Sequence, residues 1–416
     1  MTDREILVYV DLDGAPHLVG RLWAQTRKNK ESATFQYDNR WLANPAKFSL
    51  EPALQVGPGP FHTAADAALF GAIGDSAPDR WGRTLMRRMH AAAEGSKART
   101  LQEIDYLLLV DDEARQGALR FAEKEGGPFL RPEGVRRIPP LVELPKLLAA
   151  AEKFMDEEDT DEDLRLLFAS GSSLGGARPK ASVREKDGTL AIAKFPRKDD
   201  ENNTVLWEGV ALALTHKAGI PVPVARVEII AEKPVLLLRR FDRYGERRIP
   251  FLSAMSMLGA RDNEPHTYLE IVDALRQHGA AAKDDMEALW RRVVFNVLVS
   301  NTDDHLRNHG FLYTGPDGWR LSPAYDLNPV PVEIKARILS TAISDEDNSA
   351  SLQLAMENAG YFDLDAAEAR AIAQHVGRAV STWRDEAARH DLTKREIDRM
   401  ASAFEHKDLE LARASK

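Results

Sequence analysis

The stretch "NTDDHLRNHG" (residues 301–310) concentrates two carboxylates, two histidines and two amides in ten consecutive positions. The short apolar run "FLY" follows it and is typical of a β-strand. Before it, apolar residues recur at the i, i+3, i+4, i+7 spacing of one buried helix face, at Met286, Leu289, Trp290, Val293, Val294, Val297 and Leu298. The sequence therefore predicts that a buried helix delivers these polar groups to one fixed place.

The composition of the chain excludes several kinds of functional site. A length of 416 residues predicts two or three domains or lobes. The absence of cysteine excludes disulfides, thiolate metal sites and cysteine nucleophiles. With 56 basic and 65 acidic residues the net charge is −9, which is not typical of a protein that binds nucleic acid on its own. A role on DNA would need a basic patch or a basic partner.

The sequence also bears on the location of the protein. The first residues, "MTDREILVYV", include acids and lack the apolar core of a signal peptide. No apolar run approaches the roughly 18 residues that a membrane-spanning helix needs. We therefore expect a cytoplasmic protein without membrane contact, and the lack of cysteine suits a reducing compartment.

Changes in pattern along the chain predict three segments. Residues 1–124 mix strands with helices, and residues 125–249 contain a linker, a helix and two hairpins. The first hairpin is predicted to turn at Asp187-Gly188, between two alternating runs. Residues 250–416 have a mostly helical pattern, with two long helices predicted after about Asp365.

The polar loop has three candidate roles. Asp303 and Asn308 are residue types that form turns and cap helices, which would make the loop purely structural. The cluster formed with Asp304, His305 and His309 also suits a metal hydrolase, although the chain contains no H-E-x-x-H motif. The third role is Mg²⁺ binding in phosphoryl transfer, since carboxylate and amide oxygens are the ligands that Mg²⁺ prefers.

Phosphoryl transfer is favoured because its other parts occur in the order that protein kinases use. A loop of small residues at 172–180 comes first, and Lys194 follows in the apolar strand "AIAKF". Glu208 lies on the next predicted helix, where it can pair with Lys194. Each residue alone has an ordinary explanation, because strand lysines often reach into water and helix glutamates are usually solvated. Their order along the chain is what supports the kinase interpretation.

The spacing within the polar loop supports the same interpretation. Asp303 and Asn308 are five positions apart, as are the Asp and Asn of the kinase catalytic loop. Asp326 follows in "LSPAYDLNP", where kinases place a carboxylate that binds metal. Asp304 and His309 then have no catalytic role, and we expect them to make the loop's own hydrogen bonds.

At these residues the sequence resembles the HipA family of serine/threonine kinases, the toxin partners of HipA–HipB modules. The resemblance is carried by "SSLGGARPKA", "AIAKFP", "LLLRRFDR", "NTDDHLRNHGFL" and "LSPAYDLNP", which occur in the family's order. The N-terminal block, with "VGRLW", "FQYDNRWL" and "GALRF", is similar to the family's β-rich N-terminal subdomain.

The resemblance implies an α+β fold with two lobes, like that of protein kinases. Residues 1–124 would form the HipA-like, β-rich N-terminal subdomain. Residues 125–249 would form a region like the kinase N-lobe, with the phosphate loop and the hinge. Residues 250–416 would form a mostly helical C-lobe that contains the catalytic loop.

The resemblance also implies a role for each residue at a motif position, with ATP and Mg²⁺ as cofactors. Asp303 would be the catalytic base, Asn308 and Asp326 would hold Mg²⁺, and Glu208 would orient Lys194 toward the α/β-phosphates. The residues expected to contact the nucleotide are Gly175, Gly176, Ala177, Arg178, Lys180, Lys194, Arg239, Arg240, Phe241, His305, Arg307, Asn308, Tyr325 and Asp326.

The family's regulation and partners are implied in the same way. Family members can autophosphorylate a serine of the phosphate loop, which expels the loop and inactivates the kinase. The matching residue is Ser173, with Ser172 as the alternative, and a phosphoserine there adds about −1.5 to −2 charges beside a triphosphate. The implied partners are a HipB-like helix-turn-helix antitoxin, DNA only through that antitoxin, and a protein substrate, which in relatives includes aminoacyl-tRNA synthetases.

Two other functions remain open at the level of sequence. The chain can be a catalytically vestigial co-repressor that acts with a DNA-binding antitoxin, but its complete set of catalytic residue types argues against this. It can also be a small-molecule kinase, which the N-terminal block disfavours. We therefore expect an ATP- and Mg²⁺-dependent serine/threonine protein kinase.

Overall fold

The structure is a computed structural model that describes residues 3–27, 30–131, 138–169 and 176–414. Within these ranges the strands are β1 (Asp3–Leu12), β2 (Ala15–Arg27), β3 (Lys30–Tyr37), β4 (Pro60–His62), β5 (Leu119–Ala122), β6 (Lys180–Arg184), β7 (Leu190–Lys194), β8 (Ala225–Ile230), β9 (Lys233–Arg239), β10 (Arg243–Tyr244), β11 (Arg247–Arg248), β12 (Phe251–Ser253), β13 (His266–Thr267), β14 (Gly310–Tyr313), β15 (Trp319–Leu321) and β16 (Thr341–Ala342).

The helices of the same ranges follow in chain order. The α-helices are α1 (Asn39–Leu42), α2 (Gly71–Gly74), α3 (Arg80–Glu94), α4 (Glu103–Leu109), α5 (Leu144–Met155), α6 (Asp161–Ala169), α7 (Thr204–Lys217), α8 (Ala254–Met257), α9 (Tyr268–His278), α10 (Ala282–Leu298), α11 (Leu352–Glu357), α12 (Ala366–Val380), α13 (Trp383–Arg389), α14 (Lys394–Arg399), α15 (Ala401–Phe404) and α16 (Lys407–Ala414). Short 3₁₀ helices lie at Gly95–Lys97, Leu141–Glu143, Leu306–Asn308 and Ala359–Phe362.

The first sheet is antiparallel, with the strand order β4-β3-β2-β1-β5. Its buried residues include Val8, Leu22 and Phe35, one from each of the three central strands. Gly20 of β2 allows β3 to approach, because a Cβ atom at Gly20 would lie 2.3 Å from the main-chain oxygen of Gln36. Any side chain there would have to displace the backbone of the neighbouring strand, so this position requires glycine.

A second antiparallel sheet contains β6, β7 and β9. The predicted hairpin is confirmed, since β6 and β7 are joined at Asp187-Gly188, where Gly188 has a φ of +85°. One face of this sheet packs against α3, α5 and α6 through Ala181, Val183, Ala191, Ala193, Val235 and Leu237. By register, the opposite face carries Lys180, Ser182, Ile192, Lys194, Leu236 and Leu238.

Helix α10 is the centre of the C-terminal helices. The predicted apolar face is fully buried at Leu289, Trp290, Val293, Val294 and Val297. This face packs against α9, α11 and α12. The prediction of a buried helix that leads into the polar loop is therefore confirmed. Among the helices of the described ranges, none combines the length and hydropathy that a membrane crossing requires.

The prediction of two long helices after Asp365 is wrong. The tail contains α12, of 15 residues, followed by the four shorter helices α13 to α16. Asp391, with a φ of +58°, lies between α13 and α14 and interrupts the helical backbone. Capping boxes then set the start of α12 at Asp365 and Glu368 and the start of α14 at Thr393 and Glu396.

The chain forms two compact units, Met1–Arg197 with Ile229–Leu252, and Lys198–Glu228 with Ser253–Lys416. Strands dominate the first unit and helices the second, so the predicted α+β class is confirmed. The borders of these two units differ from those of the three predicted segments. Helix α7 belongs to the second unit, because it packs against α12 and α13. The segment boundaries at 124 and 249 stay a prediction.

Candidate active site

The polar loop after α10 is fixed by side chains from the helix and its neighbours. Helix α10 ends at Leu298, and Ser300 reverses the chain with a φ of +53°. The side-chain nitrogen Nδ2 of Asn301 donates to Oδ1 of Asn296 on α10 at 3.0 Å. Ser300 Oγ donates to the carbonyl oxygen of Ala403 at 2.8 Å. The backbone therefore enters the loop in one position.

The residues of the loop alternate between buried and exposed. Thr302 is fully buried and Asp304 is 2% exposed, whereas the side chain of Asp303 between them is 70% exposed. Asp303 is thus the carboxylate of this pair that a ligand can reach. A general base must approach the hydroxyl that it deprotonates, so the exposure required for the predicted role of Asp303 is present.

Asp304 is the centre of a buried hydrogen-bond network. Its Oδ2 accepts from the hydroxyl of Tyr268 on α9 at 2.5 Å and from Nδ2 of Asn296 on α10 at 2.8 Å. Nε2 of His309, at the end of the loop, lies 2.7 Å from the same oxygen and must carry the proton that it donates. The prediction that Asp304 and His309 make the loop's own hydrogen bonds is confirmed.

The network keeps Asp304 ionised although it is buried. Burial by itself would raise the pKa of Asp304, but the charge of His309 and hydrogen bonds from His309 and Tyr268 outweigh it and lower the pKa. Burial and the adjacent charge of Asp304 raise the pKa of Tyr268 well above its usual value, so the phenol stays protonated and donates. The loop therefore contains a fixed, buried negative charge at Asp304.

Asn308 connects the predicted base with the predicted metal site. It is buried at the end of the 3₁₀ helix Leu306–Asn308, and its Nδ2 donates to the carbonyl oxygen of Asp303 at 3.2 Å. The main-chain N–H of His305 donates to the same carbonyl at 3.0 Å. No hydrogen bond in the described ranges uses the amide oxygen of Asn308, so that atom is available to a ligand, and its contact with Mg²⁺ stays a prediction.

The "AYDLNP" segment is joined to the loop by two hydrogen bonds. The hydroxyl of Tyr325 donates to the carbonyl oxygen of Arg307 at 2.7 Å, and the N–H of Asn328 donates to Oδ1 of Asn301 at 3.3 Å. Asp326 lies between these two anchors, with a left-handed φ of +58° that aspartate tolerates better than most residues. The two predicted metal ligands therefore lie on segments that are held together.

These ligands fit a magnesium ion that is shared with phosphate. In the part of the chain that the structure describes, no group of three or more carboxylate or imidazole side chains is arranged to hold a metal ion. Mg²⁺ typically takes only one or two protein carboxylates and completes its octahedron with phosphate oxygens and water. One carboxylate, Asp326, and one amide, Asn308, match this donor set.

His305 and Arg307 flank the exposed face of the loop. Arg307 Nη2 lies 2.9 Å from Oδ2 of Asp262, and both side chains are exposed. Such surface ion pairs contribute little, so a phosphate could replace Asp262 at low cost. Nδ1 of His305 is buried and has no hydrogen-bond partner among the described residues. The nucleotide contacts of both residues stay predictions.

In the first unit, two lysines lie opposite each other on β6 and β7. Lys180 pairs with Lys194 in the register of the hairpin, and directly opposed residues share a face of the sheet. Both are therefore on the face opposite to the one that packs against α3, α5 and α6. Lys180 is buried, and its ammonium lies 2.6 Å from Oδ2 of Asp79. The predicted phosphate contact of Lys180 therefore competes with a buried ion pair.

The N-terminus of α3 holds the end of the predicted phosphate loop. Asp79, the N-cap of α3, accepts from Lys180 through one oxygen and from the N–H of Gly82 through the other. Nε1 of Trp81 donates to the carbonyl oxygen of Lys180 at 2.9 Å. The main-chain N–H of Trp81 donates to the carbonyl oxygen of Gly176 at 3.4 Å. The N-terminal block thus fixes the residues that lead into β6.

Part of the predicted phosphate loop lies outside the described residues. This holds for the predicted nucleotide contact Gly175 and for the predicted autophosphorylation site, Ser173 or Ser172. Of the loop residues that the structure describes, Gly176 and Ala177 are exposed and Arg178 is half-buried. Their nucleotide contacts stay predictions.

The "RRFD" segment contains a buried ionic cluster. Arg240 donates to both oxygens of Asp242, at 2.8 and 2.6 Å, and to the carbonyl oxygens of Ala114 and Arg115. Burial by itself would raise the pKa of Asp242, but the charges of Arg240 and Arg243 hold it well below its usual value. This guanidinium is engaged within its own unit, and the predicted nucleotide contact of Arg240 stays a prediction.

Three further sequence predictions stay predictions. Arg239 is exposed at the end of β9, and Phe241 is half-buried with its ring 6.3 Å from that of Phe251. Their contacts with adenine are not tested by these positions. Glu208 is buried on α7 in the second unit, and Lys194 lies on β7 in the first, so their predicted pairing is likewise untested.

Sequence reasoning missed five residues around the loop. Tyr268 and Asn296 hold Asp304, and Lys335, Ser340 and Thr341 reach the loop from a later segment. Only Tyr268 had a local signal, because the T-x-x-E pattern from Thr267 to Glu270 predicts that a helix starts at Tyr268. That signal gives the position of the helix, but it does not give the partner of the phenol.

The neighbouring residues Asp303 and Asp304 are expected to respond oppositely to the same substitution. Asp304→Asn should destabilise the second unit by about 3 kcal/mol, because it removes a buried charge from three donors. Asp303→Asn should leave stability unchanged, because its carboxylate is exposed. Urea unfolding, monitored by tryptophan fluorescence, measures both variants.

Acid sensitivity provides the control for this prediction. A lowered folded-state pKa stabilises the protein above the unfolded value, about 3.9 for aspartate, and this contribution is lost as pH falls through the folded-state pKa. The difference between wild type and Asp304→Asn should therefore shrink in acid. Equal free energies of unfolding for Asp303→Asn and Asp304→Asn at neutral pH would contradict the prediction.

Comparisons with known proteins agree with this architecture. A family model described as the HipA-like C-terminal domain matches residues 172–383, half of the chain, and one described as the HipA N-terminal domain matches residues 10–109. The fold is similar to the HipA–HipB–operator DNA complex of Shewanella oneidensis, with a TM-score of 0.64 and 15% identity. That match covers 98% of this chain and 96% of the other.

Sequence relatives are more distant and partial. The chain is 28% identical over 182 residues to Y4mE of Sinorhizobium fredii, a protein named as a kinase, with 37% of this chain and 41% of that protein covered. It is 26% identical over 215 residues to the serine/threonine-protein kinase toxin HipA of Shewanella oneidensis, with 43% and 48% covered. The chain thus spans less than half the length of these two curated relatives. With both of the family's domain models matched in order, the chain belongs to the HipA family.

Proposed function

We propose that this chain is an ATP- and Mg²⁺-dependent serine/threonine protein kinase of the HipA toxin type. The observation that carries the proposal is the catalytic loop of the second unit. There an exposed Asp303 lies between two buried neighbours, and Asn308 binds the carbonyl oxygen of Asp303 while its own amide oxygen remains for a ligand. The two relatives named as kinases support the same activity.

In the proposed reaction, Asp303 accepts the proton of the substrate hydroxyl as its oxygen attacks the γ-phosphorus of ATP. The bond between that phosphorus and the β,γ-bridging oxygen breaks, and ADP leaves. The amide of Asn308 and the N–H of His305 hold the main chain of Asp303, so the carboxylate keeps its direction during the proton transfer.

The remaining charged groups would hold the nucleotide. When bound, Mg²⁺ neutralises charge that develops on the phosphate oxygens, and Asn308 and Asp326 would hold it. Lys194, on the sheet face opposite α3, α5 and α6, would bind the α/β-phosphates. Arg307 can exchange its surface ion pair with Asp262 for a phosphate oxygen.

Phosphoryl transfer tests the proposal directly. Purified protein with γ-labelled ATP and Mg²⁺ should label itself or a protein acceptor, and Asp303→Asn should lower the rate by about 100-fold or more. Asp273→Asn is the matched control, since Asp273 is 67% exposed and pairs with Arg276 on its own helix, and it should keep the wild-type rate.

Phosphoryl transfer, combined with calorimetry of ATP binding, separates the kinase from a vestigial co-repressor. ATP that binds in calorimetry but is never transferred would favour the co-repressor. Neither binding nor transfer of ATP, with or without Mg²⁺, would contradict the kinase and leave the co-repressor. A rate for Asp303→Asn equal to that of Asp273→Asn would remove Asp303 from the reaction.

Autophosphorylation of the phosphate loop is a further part of the proposal. Ser173, which lies outside the described residues, is the acceptor that the family resemblance implies, and a phosphate there would repel the triphosphate of ATP. After incubation with ATP, peptide mass spectrometry should find the phosphate in wild type and in Ser172→Ala, but not in Ser173→Ala. A phosphate that persists in Ser173→Ala and disappears in Ser172→Ala would contradict this assignment.

The proposed partner is a small helix-turn-helix protein of the HipB type. The solved relative from Shewanella oneidensis is a complex with HipB and its operator DNA. A chain with a net charge of −9 is poorly suited to bind DNA alone, so DNA contact would pass through this partner. In mobility-shift assays at about 150 mM salt, the chain should shift operator DNA only with the partner present, and a shift by the chain alone would contradict the proposal.

The substrate is proposed to be a cytoplasmic protein. Family resemblance favours an aminoacyl-tRNA synthetase, because relatives act on this class of enzyme. The exposure of Asp303 suits a substrate that presents its hydroxyl on an extended segment.

A further inference from the structure

A segment downstream of the metal-binding motif holds the catalytic loop by its main chain. This strap, residues 335–341, comes after "AYDLNP" and before β16 ends. Its side chains and one N–H donate to the carbonyl oxygens of Thr302 and Asp304, the residues on either side of Asp303. No motif of the sequence marks the strap, and the proposed function does not use it.

Three donors of the strap converge on the carbonyl oxygen of Thr302. The N–H of Ser340 lies 3.1 Å from it, and the hydroxyl of Ser340 lies 3.0 Å from it. The ammonium of Lys335 is the third donor, at 3.3 Å. Thr302 is fully buried, so its carbonyl has no access to water and depends on these donors.

A single buried donor holds the carbonyl oxygen on the other side. The hydroxyl of Thr341 donates to the carbonyl oxygen of Asp304 at 2.7 Å, and Thr341 is 1% exposed. Thr341 in turn pairs in parallel with His266 of β13, the strand that leads directly into α9. Helix α9 begins with Tyr268, whose hydroxyl holds the carboxylate of Asp304. Asp304 is thus fixed through both its side chain and its carbonyl by connected elements.

The geometry determines where the side chain of Asp303 can point. The peptide group before Asp303 is held through the Thr302 carbonyl, and the one after it through the Asp303 carbonyl, which accepts from Asn308 and His305. Thr341 holds the next peptide group through the Asp304 carbonyl, so the chain is fixed on both sides of Asp303. With both ends fixed, the φ and ψ angles of Asp303 have little freedom, and its Cα–Cβ bond keeps one direction. Lys335 adds a charge interaction, because its ammonium lies 3.8 Å from Oδ1 of Asp303.

We propose that Thr341, Ser340 and Lys335 are positioning residues for Asp303, which act by holding the carbonyls on its two sides. This inference rests on the proposed function, in which Asp303 is the base. None of the three residues needs to touch ATP. Their loss should therefore lower the rate of the chemical step and leave ATP binding nearly unchanged.

The test compares two threonines that make the same kind of bond. Thr341→Val keeps the shape of the side chain and removes the hydroxyl that holds Asp304. Thr215→Val is the matched control, because Thr215 on α7 is fully buried and donates its hydroxyl to the carbonyl oxygen of Ala211 at 2.6 Å. Both variants lose one buried hydroxyl–carbonyl bond, but only the first loses it beside the base.

The readout is kcat and KM for ATP, with the melting temperature of each variant. Thr341→Val should lower kcat roughly 10- to 100-fold, the range expected from a small displacement of a catalytic group, with KM within about twofold of wild type. Thr215→Val should keep both constants. Thr341→Ser returns the hydroxyl and should restore most of the lost kcat, which a general packing defect would not allow.

A second variant keeps the inference testable if Thr341→Val does not fold. The double substitution Ser340→Ala with Lys335→Met removes two of the three donors to the Thr302 carbonyl, and both residues are exposed. It should fold normally and lower kcat without raising KM for ATP. A rise in KM at constant kcat would instead make Lys335 a nucleotide contact and overturn the positioning role.

The outcomes separate this inference from the proposed function. If wild-type protein transfers phosphate and Thr341→Val has the same kcat as Thr215→Val, the positioning role is overturned and the kinase function stands. If wild-type protein transfers no phosphate under any condition, the proposed function fails, and the positioning role of the strap fails with it.

Discussion

The polar loop at residues 301–310 depends on one buried negative charge. A carboxylate away from water costs several kcal/mol unless donors surround it, and Asp304 finds its donors on three separate pieces of chain. Tyr268 begins α9, Asn296 lies near the end of α10, and His309 closes the loop itself. These pieces cannot separate without leaving the charge unpaired. The position of the loop therefore follows from the energy of burying Asp304, and the exposed Asp303 takes its place from its neighbour.

The first unit fixes its own predicted ligand-binding segments by the same physical means. Asp242 joins the end of β9 to residues 114–117 through two buried arginines and a main-chain N–H. Asp79 joins the start of α3 to Lys180, directly after the phosphate loop. In both units a buried acid holds the chain next to residues that are predicted to bind the nucleotide. The segments proposed to recognise charged phosphates thus follow anchors that are already paired, which would lower the entropy lost on binding.

Local patterns predicted much of the fold and part of the site. The i, i+3, i+4 spacing gave the buried face of α10, and Asp187-Gly188 gave the first hairpin, because both signals act within a few residues. The prediction of two long helices after Asp365 was wrong. The apolar helical pattern continues across the breaks that the capping boxes and Asp391 introduce. The hydrogen bond from Tyr268 to Asp304 could not be predicted, because Tyr268 lies 36 residues away and a single sequence carries no record of that contact.

The two adjacent aspartates explain why the loop tolerates so many polar groups. A loop with only exposed acids would have no reason to adopt one conformation, because water satisfies each group equally well in many positions. A loop with only buried acids would have no group available for chemistry. In this chain the buried Asp304 and the strap at Ser340 and Thr341 remove the freedom of the backbone, and Asp303 is left as the one carboxylate of the pair that solvent reaches. The rigidity that the proposed proton transfer needs is therefore provided by the same residue type that would perform it, one position along the chain.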